Sequence, residues 1–175
     1  MIVLCGHSAS GKDTLMNEVV KFSDLRPVVS YTTRPMRQGE TNGIEYNFIS
    51  EKEFNERDNN HCFIETSGYR GWLYGMAKKD CGDDRIVVVD PCGLRSLLRS
   101  GVKVTSFYIS VEERERLLRL TNRGDDITEL CRRIISDRDT FRGVEYEVDC
   151  TIKNNNIKVA AFEIIEELKS RMVIC

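Results

Sequence analysis

The stretch Gly6-His7-Ser8-Ala9-Ser10-Gly11-Lys12-Asp13-Thr14 carries the residues whose types and spacing most plainly imply chemistry. Small residues between two glycines, closing on Gly-Lys, make the pattern of a phosphate-binding loop. Gly6 and Gly11 let the backbone turn tightly with no Cβ between it and a phosphate. Successive N–H groups at the start of the following helix would then point at the anion. Lys12 adds a mobile positive charge for the outer phosphates of a nucleoside triphosphate. One position departs from the pattern. A hydroxyl residue is expected after the lysine, but Asp13 stands there, with Thr14 one place later.

A triphosphate loop does not say where the phosphoryl group goes. Arg34 and Arg37 lie in one Pro- and Gly-containing loop, and planar guanidinium forks suit a second phosphate group. Arg119, Arg123, Arg132 and Arg133 bracket a break at Thr121–Asp126. A flap of arginines closing over a phosphate loop fits phosphoryl transfer, in which charge spreads over the transferred oxygens. The same arginines also read as solvated helix-face charges balanced by Glu112, Glu113 and Glu115. Glu65 follows an apolar run, where a carboxylate needs a partner. It would accept two hydrogen bonds from a base edge, or pair with an arginine.

These groups need elements to position them. Ile2-Val3-Leu4-Cys5 reads as a buried strand feeding the loop, and a helix follows to about Phe22. Pro27–Tyr31 reads as a second strand, 32–43 as a loop, and Ile44–Ile49 as strand-like. Ser50-x-x-Glu53 is a capping box opening a helix with Phe54 inward. Cys62–Glu65 returns to strand, and Gly68–Gly75, with Tyr69, Trp72 and Tyr74, reads as a hairpin or binding wall. Ile86–Asp90 is a continuous apolar run ending in an acid, as in a central parallel strand. Its carboxylate falls where open α/β sheets bind ligands. Helix at Gly93–Ser100 and strand at Val102–Ile109 follow. Ser110-x-x-Glu113 and Asp126-x-x-Glu129 look like helix starts. The second of these helices would hold Leu130, Ile134 and Ile135 inward and Arg132, Arg133 and Arg138 outward. Val148–Lys153 is a last strand, and Ile157–Met172 a closing amphipathic helix.

Strands alternating with helices predict an α/β fold, a three-layer sandwich around a central parallel sheet with right-handed crossovers. The β-rich segment 34–82 breaks the rhythm and reads as an inserted subdomain. The expected division of the single domain 1–175 is a core of 1–33 and 83–175, that insertion, and a helical lid at about 119–140.

Bulk properties narrow the partners. A formal net charge of −2 gives no general pull towards nucleic acid or an anionic membrane. No run of about 18 apolar residues offers a membrane span, and the N-terminus lacks the charged region of a signal peptide. The seven cysteines form no Cys-x-x-Cys pair, and neither histidine stands at metal-ligand spacing from them. Reduced core thiols in a cytoplasmic protein are the expectation. Monomer and homodimer both remain open.

The pieces Ser30-Tyr31-Thr32-Thr33-Arg34-Pro35-Met36-Arg37-Gln38-Gly39-Glu40-Thr41-Asn42-Gly43-Ile44-Glu45-Tyr46-Asn47-Phe48, then Phe63-Ile64-Glu65, then Gly71-Trp72-Leu73-Tyr74-Gly75 resemble the guanylate kinase family. Asn122-Arg123-Gly124, Arg133 and Asn154 continue the likeness. The resemblance implies ATP as phosphoryl donor, GMP (and dGMP) as acceptor, Mg²⁺, and a moving lid and monophosphate-binding insertion. It implies that Gly6, Ser8, Ala9, Ser10, Gly11, Lys12, Asp13, Thr14 and Asn154 bind ATP. By the same likeness Ser30, Arg34, Arg37, Tyr46, Glu65, Tyr74 and Asp90 bind GMP, with Glu65 reading the guanine N1 and N2 hydrogens. Lys12, Arg34, Arg123 and Arg133 would act on the transferring group, and Asp13 and Asp90 would reach Mg²⁺ through water.

Three positions depart from the family pattern. Met76 stands where Ser or Thr usually bonds the base. Val88 replaces the first acid of Asp-x-Asp, of which Asp90 is the second. Asp13 follows the loop lysine, as in ribose 1,5-bisphosphate phosphokinases on the same scaffold. A kinase of that acceptor, or of another nucleoside monophosphate, is therefore an alternative. Guanylate-kinase-like domains of scaffolding proteins, which bind peptides, are another, although these typically lose the loop lysine and lid arginines.

Overall fold

The strand Ile2–Cys5 (β1) is buried along its whole length. Its side chains alternate between two cores: Ile2 and Leu4 pack on one side, Val3 and Cys5 on the other. That double burial explains the unbroken apolar run, since both faces of a parallel sheet are covered. The computed structural model describes residues 1–37, 39–69, 71–122 and 126–171.

In chain order, β1 is followed by α1 (Lys12–Lys21), β2 (Arg26–Pro27), β3 (Tyr31–Thr32), β4 (Asn47–Phe48), α2 (Glu51–Asn59), β5 (Phe63–Tyr69) and β6 (Trp72–Ala77). Then come β7 (Arg85–Val89), α3 (Pro91–Arg99), β8 (Thr105–Ser110), α4 (Glu113–Asn122), α5 (Ile127–Thr140), β9 (Cys150–Lys153) and α6 (Ile157–Ser170). One sheet has the order β2-β7-β1-β8-β9, with every pair parallel. Residues of α1 and α6 cover one face, and residues of α3 with Phe141 and Val144 cover the other. This is the expected three-layer α/β sandwich. A second sheet, β4-β3-β6-β5, carries the β5–β6 hairpin foreseen at 68–75.

Several elements start where local chemistry satisfies the first free N–H groups. The Ser50 hydroxyl accepts from Glu53 N at 3.1 Å, as its capping box requires. Asp90 caps α3 by accepting from Gly93 N at 2.8 Å, with Pro91 at the first helical position. Asn156 accepts from Lys158 N and Val159 N at the head of α6.

Other expectations are corrected. The strand expected at 27–31 is divided between the sheets: β2 pairs with β7, while β3 joins the second sheet. An apolar stretch carries no mark of which sheet it enters. Only Asn47–Phe48 of the 44–49 stretch is strand. The helix expected from Ser110 begins at Glu113, whose carboxylate is taken by Arg138. Ile135 is 64% exposed. It lies about 100° round α5 from buried Ile134, so one stripe cannot hold both. Of the six cysteines described, all free, Cys5 alone is buried; Cys62, Cys92 and Cys131 are exposed rather than core thiols.

Candidate active site

The phosphate loop leaves β1 at Gly6 with no room to spare. A Cβ on Gly6 would lie 2.6 Å from the Ile109 carbonyl oxygen, and one on Gly11, which has φ 82°, would lie 2.8 Å from Asn154 Nδ2. Ala9 also takes positive φ, 60°, a conformation that costs an L-residue about 1–2 kcal/mol. The loop is braced from behind. Asn154, 2% exposed, donates from Nδ2 to the Ser10 carbonyl at 2.8 Å. Arg119 on α4 donates to the Asn154 carbonyl at 3.0 Å and reaches Ala9 O at 3.5 Å. Lys12 Nζ spans the loop to the His7 carbonyl at 3.0 Å. Asp13 and Thr14, in the first turn of α1, are exposed, and α1 has no side-chain cap. Asn154, matched by resemblance to a position near the adenine, thus places one Nδ2–H on the loop's own backbone.

The residues expected on the acceptor side lie in or beside the second sheet. Arg34 is 8% exposed and grips Glu40 with two bonds, Nη2 to Oε1 at 2.7 Å and Nη1 to Oε2 at 3.0 Å. Nη1 also donates to the Pro35 carbonyl, so among the described residues Nε–H and one Nη2–H remain of its five donors. Its guanidinium lies 5.6 Å and 5.4 Å from the centroids of the Tyr46 and Phe48 rings. Tyr46 and Tyr74 meet edge to face at 5.9 Å. Ser30 is half-buried and Arg37 exposed. Burial pushes the Tyr46 hydroxyl well above its usual pKa, and the next contribution is the negative charge of Asp13. Phosphate loop and aromatic cluster are therefore within electrostatic reach of each other.

Glu65 sits within β5, beside the first turn of α3. The residue is 6% exposed. Burial, and next the charge of Asp90, push its pKa up to about 7, while a hydrogen bond from Ser67 acts in the opposite sense. Gly93 makes room for it: a Cβ there would stand 3.0 Å from Glu65 Oε1. Structure thus brings Glu65 and Asp90 together around one helix N-terminus. A groove of about 630 Å³ runs elsewhere, behind His7 and beside Tyr108, Phe141 and Tyr146. None of Lys12, Arg34, Glu65 or Asp90 lines it, so the site follows from the loop and the carboxylates rather than from cavity volume. Arg133 lies on α5, half-buried, and Arg123 falls outside the described residues.

The family model for guanylate kinase matches residues 1–172. The chain belongs to the guanylate kinase family. Among its relatives, the guanylate kinase of Syntrophotalea carbinolica is 32% identical, over 97% of this chain and 83% of its own length. That of Sulfurimonas denitrificans is 33% identical, over 92% of this chain and 82% of its own. A crystal structure of guanylate kinase from Anaplasma phagocytophilum superposes with a TM-score of 0.78 at 25% identity, over 98% of this chain and 85% of that one.

Against the guanylate kinase pattern the departures acquire places. Met76 is 1% exposed in the core on the α3 side of the main sheet and pairs in register with Glu65. The neighbour of the buried carboxylate is thus apolar, with no donor for a base. Val88 packs against the core on the α1 and α6 side. Sequence reasoning missed Glu40 as the partner of Arg34, and Gly93 as the space Glu65 needs. An acid six residues after the arginine in a turn-rich loop was the available sign for Glu40. Nothing local marks Gly93.

Proposed function

We propose that this chain transfers the γ-phosphoryl group of ATP to GMP, giving ADP and GDP, with dGMP as a second acceptor. The observation that carries the reading is the pairing of a phosphate loop that keeps its lysine with a buried Glu65 carboxylate and an arginine–tyrosine cluster beside the second sheet. An oxygen of the GMP phosphate attacks the γ-phosphorus, and the bond to the oxygen bridging β and γ breaks to release ADP. Backbone N–H groups from Ala9 to Thr14 and Lys12 would hold the ATP phosphates. The remaining donors of Arg34, with Ser30, Arg37, Tyr46 and Tyr74, would hold the acceptor phosphate. Glu65, ionised, would accept from guanine N1–H and N2–H, with Asp90 behind it. Arg123 and Arg133 would cover the transferring group from a lid at 119–140, and the segment 34–82 would carry the acceptor.

Oxygen donors suit Mg²⁺, and exposed Asp13, with Asp90 whose Oδ1 already caps α3, would hold it through water. Bound there, Mg²⁺ would neutralise charge between the β- and γ-phosphates. Asp13→Asn is expected to raise the Mg²⁺ concentration for half-maximal rate several-fold. An unchanged Mg²⁺ profile would remove Asp13 from the metal site.

The activity itself is tested by coupled measurement of ADP formation with GMP, dGMP, AMP, CMP, UMP and ribose 1,5-bisphosphate. GMP is expected to have the highest kcat/KM, with selectivity reduced because Met76 leaves one base hydrogen bond unmade. Equal or better turnover of any other acceptor except dGMP would sink the reading. No helix among the described residues is long and apolar enough to cross a membrane.

A further inference from the structure

Behind the phosphate loop lies a buried ion pair that the proposed transfer chemistry does not use. Asp137 on α5 is 2% exposed, and its Oδ2 accepts from the backbone N–H of Ser8 at 2.7 Å. Arg116 on α4 is 4% exposed and places Nη1 3.9 Å from that same oxygen. Arg116 Nε and Nη1 have no hydrogen-bond partner among the described residues. A buried guanidinium with two nitrogens unpartnered among the described residues is costly, and its position needs a reason beyond packing. The contact falls immediately before Ala9, the loop's strained residue. Strain of this kind persists only where the surroundings over-determine it. Two braces do so here: Asp137 takes the N–H of Ser8, and Arg119 reaches the carbonyl of Ala9. Both come from the pair of helices that flank the arginine-bearing break. His7 adds a third hold, stacked on Phe141 at 4.4 Å and hydrogen-bonded through Nδ1 to the Tyr108 hydroxyl at 2.6 Å.

We propose that Asp137, held by Arg116, is a positioning residue that fixes the shoulder of the phosphate loop so that the N–H groups after Ala9 converge on the ATP phosphates. Asp137 touches no substrate. It acts through Ser8 and Ala9, and makes ATP affinity depend on the seating of α4 and α5. The inference rests on ATP being the donor.

Two double variants isolate the acceptor on Ser8 N–H from the ion pair. Arg116→Met with Asp137→Asn removes both charges but keeps a carbonyl oxygen for Ser8. Arg116→Met with Asp137→Leu removes both charges and the acceptor at similar volume. ATP affinity is read by calorimetric titration without any acceptor, so failure of the GMP reading cannot be mistaken for failure of this one. KM for ATP and GMP and the melting temperature are read alongside. The Asn double is expected to bind ATP within about twofold of the parent, and the Leu double about tenfold more weakly, the worth of one buried hydrogen bond. KM for GMP should change less than twofold in either, and the two melting temperatures should agree within a few degrees. Equal ATP affinity in the two doubles would overturn the proposal. So would parallel loss for GMP, or failure of either double to fold, since each would make the contact structural only.

Discussion

Lys12→Ala is expected to lower ADP formation about 10³-fold while leaving the protein folded, on the scale of losing one preorganised donor to a developing charge. Lys12 is the one lysine of the loop, and no acid pairs with it among the described residues. Its Nζ rests on the His7 carbonyl at 3.0 Å, a neutral bond that phosphate oxygens can replace. Losing that bond costs the fold only about 1 kcal/mol, since Lys12 is half-exposed. The deficit should therefore appear in kcat and in KM for ATP, with GMP binding almost unchanged. Lys12→Arg should not rescue, because a planar fork does not replace a compact ammonium in a tight backbone cradle. Retention of more than about a tenth of parental activity in Lys12→Ala would contradict this placement, given that scale. A wild-type chain that forms no ADP but binds a peptide would instead mark a binding module.

What could be read from the chain and what could not divides along sequence separation. The loop from Gly6 to Thr14 is contiguous, and its neighbours announce strand and helix. Ser50-x-x-Glu53 and Ile86–Asp90 were legible for the same reason, because each signal is local. Arg34 and Arg37 were readable as an anion pair by composition, but not the bond from Arg34 to Glu40. That contact, with the bond to the Pro35 carbonyl, turns a free-looking arginine into one with two donors left among the described residues. The division of 27–31 between two sheets was hidden because strand pairing is a long-range choice. Ile135 was misplaced because two adjacent apolar residues cannot both face one stripe. Arg116 and Asp137 are 21 positions apart on different helices, and alone each reads as a surface charge. Only the packing of α4 and α5 against the phosphate loop brings the two together. Cys62 looked buried because Phe63 and Ile64 follow it, yet it lies one residue before β5, whose Phe63 and Glu65 are the positions turned inward.

Glu65→Gln is expected to weaken GMP binding about 100-fold or more, and to stabilise the empty protein above neutral pH. Both effects have one cause. A carboxylate that reads guanine N1–H and N2–H must be ionised and water-free, and burial with Asp90 nearby resists ionisation, raising the pKa to about 7. The folded-state value lies above the ordinary 4.5, so the folded protein holds the proton more tightly than the unfolded chain. The stabilisation this confers is complete below about 4.5 and is lost as pH rises through about 7. Near pH 8 the ionised group costs the fold on the order of 3 kcal/mol relative to a neutral one, by the conversion of pKa difference to energy. Glutamine, neutral throughout, should therefore melt higher than the parent at pH 8 and no higher at pH 4. Guanine recognition runs the other way, because two N–H donors favour the ionised carboxylate. GMP affinity should fall about tenfold for each pH unit below 7, and binding at pH 6 should release close to one proton. In Glu65→Gln the pH dependence and proton release beyond those of the GMP phosphate itself should vanish, because the amide does not titrate and presents one donor against the base. Calorimetry of GMP binding in buffers of different ionisation enthalpy measures the proton directly. A parent that binds GMP equally at pH 6 and pH 8 with no proton released would show that Glu65 does not read the base.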